Sequence, residues 1–411
     1  MDAEGIYVIL NAVAYCLVPI ILHWKFHATS DVLFLTILWA CSAISSIFYY
    51  FSPIYDFIIS DSINPVSFVL YFACYLGLIY PLLSMNSSTI RINISQQQWN
   101  ILMPVVFIIV IASVLPLIEN IIELFKDGFS GLYQLGEKYE QISSEMRSGH
   151  FKSNLSLPTR LLQSRLLNPL VYITPILFFL YLGKENKNKF IVILLFLSSI
   201  LFGIMTLSRG QRSMLTGQLL YMVYLFLLFK NTFPEYQYKR IKKVGQIVGG
   251  IFVFFFFVIT VSRTSVYDEV GGVTNDVILG TALRYYGEHF FNFGALLFDS
   301  DPFCGGDYWL DFYSLDPKGW DYWTSHLGCP AQLFYGTIGD FYKDFSWFSL
   351  PIILIMGFLL KGCNMSQIST AVFLLLWGIL LTNGLFACFF EVGLTPIPCI
   401  VIAIILKIQK I

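Results

Sequence analysis

The chain has 411 residues, of which 56% are hydrophobic and only 12% charged, and its 25 basic and 26 acidic side chains leave a net charge of −1. Soluble domains carry about a quarter charged residues, so this balance excludes an ordinary water-soluble globule and points to lipid as the solvent. No basic stripe interleaved with aromatics is present, which sets nucleic acid aside as a partner.

A transmembrane helix needs ~20 mostly apolar residues, because its backbone polar groups must be satisfied internally across ~30 Å of hydrocarbon. Taken in chain order, such runs lie at 5–22, 32–52, 65–83, 100–118, 167–182, 190–207, 213–229, 244–262, 345–360, 368–386 and 392–406. The fold class expected is all-α: a polytopic integral membrane helical bundle with about 11 transmembrane helices, forming a single domain over 1–411. The opening Met1-Asp2-Ala3-Glu4 is acidic and lacks the basic region of a signal peptide, so the first run reads as a retained span.

Orientation follows from where Lys and Arg collect in short loops. Lys184, Lys187 and Lys189 fill one loop; Lys230, Lys239, Arg240, Lys242 and Lys243 fill another. With both in the cytoplasm, alternation puts the N-terminus outside and the C-terminus, with Lys407 and Lys410, inside. The loops then divide into 13 basic and 3 acidic residues inside against 12 basic and 23 acidic outside. Two long segments are exported, 119–166 and 263–344. Within the second, 277–298 is apolar enough to span, but spanning would drop Asp301, Asp307, Asp311, Asp316 and Asp321 into the cytoplasm, so it reads as an interfacial or re-entrant helix.

Arginines break the positive-inside pattern on the exported side. Arg209 and Arg212 lie in the short turn Ser208–Ser213, Arg263 ends the eighth run, and Arg284 sits within the apolar stretch. Charge at membrane depth costs several kcal/mol unless paired or hydrated, which makes these positions functional candidates. A guanidinium keeps its charge and presents a fork of donors to phosphate oxygens, so the four suit an anionic headgroup whose tail stays in the bilayer. Each could equally snorkel or pair locally, and Arg284 stands four residues from Glu288, the spacing of a helical ion pair.

Glu288 and His289 are the candidate general bases, being titratable groups beside apolar surface. Asp268, Glu269 and His326 come next; His23 and His27 fall on the cytoplasmic side. Trp309, Tyr313, Trp320 and Trp323, interleaved with carboxylates, could stack on sugar rings, or form the aromatic belt of a headgroup interface. Asp299-Ser300-Asp301 fails as a calcium loop because Phe303 fills a ligand position and the closing glutamate is missing. No Cys/His spacing suggests a metal, and no cofactor is expected. Cys304 and Cys329 share the exported loop, where a disulfide is open to them.

Thr206-Leu207-Ser208-Arg209-Gly210, at a span end, resembles the Ser-Arg-Gly turn of the O-antigen (Wzy-type) polysaccharide repeat-unit polymerases. Tyr335-Gly336-Thr337-Ile338-Gly339-Asp340-Phe341-Tyr342-Lys343-Asp344-Phe345 resembles their aromatic/Asp-Phe approach to the final helices, with Ser346 where a glycine usually follows. The resemblance implies a glycosyltransferase of the bacterial inner membrane, multi-pass, with a periplasmic N-terminus and a cytoplasmic C-terminus. Its partners would be undecaprenyl-pyrophosphate-linked oligosaccharide, membrane lipid and a polysaccharide chain-length regulator. Arg209, Arg212, Arg263 and Arg284 would hold the pyrophosphate, and Glu288 or His289 would take the proton of the attacking hydroxyl. An O-antigen ligase and a flippase or transporter of lipid-linked oligosaccharide are the competing readings, with a membrane O-acyltransferase behind them.

Overall fold

The computed structural model describes residues 3–55, 63–84, 90–92, 94–126, 138–139, 141–142, 144–145, 155–208, 213–264, 272, 274–299, 304–305, 307, 318, 320–328, 335–362, 377–379, 381–382 and 408–410. Almost all of these residues are helical. In chain order the longer helices are α1 (Ala3–Phe26), α2 (Ser30–Tyr50), α3 (Pro65–Ile79) and α4 (Gln96–Leu124). A short α5 (Leu157–Leu161) leads through π and 3-10 turns to α6 (Ile173–Leu182). Then come α7 (Lys189–Ser199), α8 (Leu201–Leu207), α9 (Ser213–Leu228), α10 (Glu235–Arg263), α11 (Asn275–Gly287), α12 (His289–Asp299), α13 (Trp320–Leu327), α14 (Gly336–Phe345) and α15 (Ser349–Gly362).

Local chemistry sets several of the starts. Asn64 caps α3 by accepting from Val66 N at 2.9 Å, with Pro65 at the first helical position where no N–H is needed. Ser95 and Gln98 close a reciprocal capping box on α4.

Five helices are long and apolar enough to cross a membrane: Ala3–Phe26, Ser30–Tyr50, Pro65–Leu82, Gln96–Leu124 and Glu235–Ser262. A sixth span results if the bent pair α7–α8 is one span, so the eleven expected are not reached among the described residues. The run 190–207 bends by 47° between Ser199 and Leu201. Gln218 is the physical reason: its Oε1 accepts from Gly203 N at 2.9 Å, taking the donor that a straight helix would give to Ser199 O. The run 167–182 shortens to the ten residues of α6 after the π and 3-10 turns, and 244–262 extends back to Glu235. The last two runs lie almost wholly outside the described residues.

Large apolar side chains stand exposed on these helices, among them Leu10, Leu17, Ile20, Ile108, Ile111, Phe254 and Phe257. Hydrocarbon is their natural solvent. The interior is aromatic and small-residue-rich, as helix association in lipid relies on close packing. Tyr15 packs against Trp39, Phe72, Tyr75 and Phe290 with ring centroids 4.7–6.3 Å apart. Each such pair adds about 0.5–1.5 kcal/mol beyond burial.

Contacts sort the helix ends into two groups. At one end α2 finishes and α3 begins, since Tyr49, Tyr50, Tyr55 and Phe68 all meet Phe291. α9 packs on α2 and runs against it, because Tyr224 near its end lies close to Asp31 at the start of α2. The start of α9 therefore joins the Tyr50 end. Leu124, Leu207, Leu215 and Ile259 form one buried cluster, which brings the ends of α4, α8 and α10 to the same place.

The opposite end is basic. Lys184 Nζ lies over the Trp99 ring at 5.2 Å, and Lys187 Nζ donates to Leu182 O at 2.7 Å. Burial against that carbonyl lowers the Lys187 pKa by desolvation. Gln237 Nε2 also donates to Leu182 O, which ties the start of α10 to the end of α6. Strand β1 (Ile90–Ile92) touches the Lys230–Thr232 turn and pairs antiparallel with β2 (Ile408–Lys410), Ile90 opposite Lys410. The two lysine-rich loops thus share one end of the bundle.

Candidate functional site

The stretch 277–298 folds as two helices broken at Gly287–His289, forming a hairpin that enters the bundle and returns. Thr274 caps α11, accepting from Val277 N at 3.3 Å. α11 runs antiparallel along α2: a Cβ on Gly280 would touch Ser52, Gly287 abuts Ser46, and His289 faces Ser42. α12 then runs antiparallel to α3, with Phe290 against Tyr71, Phe291 against Phe68 and Gly294 beside Ser67. The tip faces Ser42, eight residues before Tyr50, so it lies roughly 12 Å inside the bundle at 1.5 Å per residue.

The break has a local cause. The carbonyls of a helix's last turn have no intrahelical donors. At the end of α11 one of them, Tyr286 O, accepts from Ser42 Oγ of α2. Gly287 permits the approach: a Cβ there would sit 2.5 Å from Ser46 N and 2.6 Å from Ser46 Cα. Ser42, Ser45 and Ser46 of α2 form the cradle.

Titratable groups gather at this tip. Glu288 is 2% exposed and forms a direct ion pair with Arg284 Nε, at helical four-residue spacing. Arg284, expected among the phosphate ligands, is thus engaged by a carboxylate of its own helix turn. His289 is 0% exposed; its Nε2 lies 3.5 Å from Ser42 Oγ, and its Nδ1 has no hydrogen-bond partner among the described residues. Its ring packs against Trp39, Tyr71 and Phe290.

A second charged element meets the hairpin. α14 packs on α12 and α3, and Gly336 to Asp344 are all buried. Lys343 Nζ lies 3.2 Å from Asp340 Oδ1 and 4.0 Å from the centre of the Tyr335 ring. Tyr71 donates to Tyr335 O at 3.3 Å and its ring packs on His289, so Tyr71 links His289 to α14. Buried charge is retained only where partners offset its desolvation. The sequence alone puts this segment in an exported loop, and Asp340, Lys343 and Asp344 are not among its candidate site residues. The available signal was two carboxylates four residues apart flanking a lysine, inside an aromatic and glycine-rich stretch.

The other expected residues fall variously. Arg263 closes α10, and its side chain lies outside what is described. Arg209 and Arg212 lie outside the described residues, but Leu207 and Leu215, which flank their turn, share a cluster with Ile259, four residues before Arg263. The ends of α8, α9 and α10 nearest these residues are therefore gathered together, and α10 packs on α11 of the hairpin with Phe256 against Tyr286. Trp309, Tyr313, Asp268, Glu269 and Cys329 lie outside the described residues. Trp320 begins α13, and Trp323 is 4% exposed, edge-on to Tyr322, so it is a core side chain and not a displayed stacking platform. His326 stacks on Tyr322 at the surface, His23 and His27 are exposed, and Cys304 is buried.

No protein-family model matches this chain, and no curated protein or solved structure matches it either. The fold and site define a helical protein whose apolar helices fit a membrane, with ionisable residues held in its interior.

Proposed function

We propose that the protein is a membrane-embedded glycosyltransferase that polymerises undecaprenyl-pyrophosphate-linked repeat units at the outer face of a bacterial inner membrane. On this reading the chain crosses the membrane about eleven times, with the N-terminus periplasmic and the lysine-rich end cytoplasmic. The observation that supports the reading is the gathering of Leu207, Leu215 and Ile259, at the ends of α8, α9 and α10 next in sequence to the expected arginines, with α10 packed on a hairpin whose tip holds Glu288 and His289.

Arg209, Arg212 and Arg263 would hold the diphosphate and stabilise it as it leaves, charge-assisted and in low dielectric. The bond between the anomeric carbon and the diphosphate oxygen breaks, and the acceptor hydroxyl oxygen bonds to that carbon. The hydroxyl proton passes to His289 or Glu288. Arg284, paired with Glu288, would tune that carboxylate and not grip phosphate. Both candidate bases are buried, so substrate binding must part the hairpin from α2.

A second reading is favoured by the buried charges of α14 and the hairpin, since ionisable residues inside a helical bundle also mark transport pathways. The deletion strain separates the readings. Loss of a polymerase leaves surface glycan of one repeat unit, loss of a ligase leaves none attached, and loss of a flippase strands single units on the cytoplasmic leaflet. Arg209→Ala and Arg263→Ala should reproduce the one-unit pattern while the protein still accumulates. Normal chain lengths in both would remove the diphosphate role.

A further inference from the structure

Ser42 donates its hydroxyl hydrogen to Tyr286 O at the end of α11. With that hydrogen committed, Ser42 Oγ can only accept from its other neighbour. That neighbour is His289 Nε2, at 3.5 Å. A neutral imidazole carries one N–H, and the hydrogen bond made by one nitrogen decides the role of the other. An acceptor opposite Nε2 favours the proton there and leaves Nδ1 as the lone pair.

The surroundings agree with that assignment. Nδ1 has no hydrogen-bond partner among the described residues, and the ring is enclosed by Trp39, Tyr71 and Phe290. Among the described residues no carboxylate is paired with the ring to hold a second proton on it. We infer that Ser42 is a positioning residue that holds His289 as its Nε2–H tautomer and presents Nδ1 as the basic nitrogen. The consequence for catalysis rests on His289 acting in the proposed glycosyl transfer. The tautomer itself does not.

Nitrogen NMR of the purified full-length protein, labelled with 15N-histidine in lipid nanodiscs, reads the tautomer directly. The chain has five histidines, and the His289→Asn variant identifies the signal by its loss. Wild type should show a protonated Nε2 and a lone-pair Nδ1. Ser42→Ala should split the signal between the two tautomers, and Ser42→Thr, which keeps the hydroxyl, should restore the single form. A merely structural Ser42 would change stability without moving the tautomer. An Nδ1–H form in wild type overturns the inference, whether or not the alanine variant folds, and so does an unchanged signal in a folded Ser42→Ala. If the tautomer moves while glycan length stays normal, the role of His289 in transfer fails and the positioning by Ser42 stands.

Discussion

Gly287 and Ser46 are in backbone contact: a methyl group added at Gly287 would meet Ser46 N at 2.5 Å. Backbone atoms of a packed helix cannot yield as a side-chain tip can. Gly287→Ala should therefore push the hairpin tip off α2, with a cost of about 1–3 kcal/mol as for other overpacked sites, and should separate Ser42 from His289. Gly249 on α10 is the control, because nothing lies within 4 Å of a Cβ there. Gly249→Ala should be neutral or stabilising by up to ~1 kcal/mol through helix propensity. Thermal unfolding in detergent checks both; equal melting points would refute the close-approach argument.

The Arg284–Glu288 pair makes a separate prediction. Glu288 is buried, so Arg284→Met takes the paired cation from its carboxylate and should cost about 3–5 kcal/mol, whereas removing both charges in Arg284→Met/Glu288→Gln should recover most of that loss. The proposed function adds that the double variant regains stability but not polymerisation. Recovery of full chain length would reduce the pair to a structural role.

How much of this was legible beforehand varies along the chain. α1 to α4 follow the apolar runs closely, since lipid burial depends on composition and length, which a sequence displays. The bend at Ile200 was not legible, because it arises from Gln218, a residue on the next helix. The break at Gly287 was equally hidden: it depends on Ser42 and Ser46, more than 240 positions earlier, accepting the tip. The ion-pair spacing of Arg284 and Glu288 was visible as one of two readings. The burial of Asp340 and Lys343 was not, because a short helix rich in charge resembles a solvated loop until its neighbours are known.

Ser346 follows α14 with φ +48° and ψ −136°, a conformation that glycine adopts freely and other residues reach only with strain. Ser346→Gly should stabilise the protein by about 1 kcal/mol, read as a raised melting temperature. A lowered melting point would mean that the serine side chain contributes more than the backbone conformation costs.

The segregation of helix ends makes the orientation testable without any assumption about chemistry. Asn186 is exposed in the lysine loop, and Asp276 is exposed at the mouth of the hairpin, at opposite ends of the bundle. In a cysteine-free background, Asp276→Cys should react with a membrane-impermeant maleimide on intact spheroplasts, and Asn186→Cys only after permeabilisation. The positive-inside bias of the Lys184–Lys189 and Lys230–Lys243 loops sets this expectation. The reverse pattern would place Arg209, Arg263 and the mouth of the hairpin in the cytoplasm. There the exported lipid-linked units would be out of reach, and the polymerase reading would fail even if every residue of the tip proved essential.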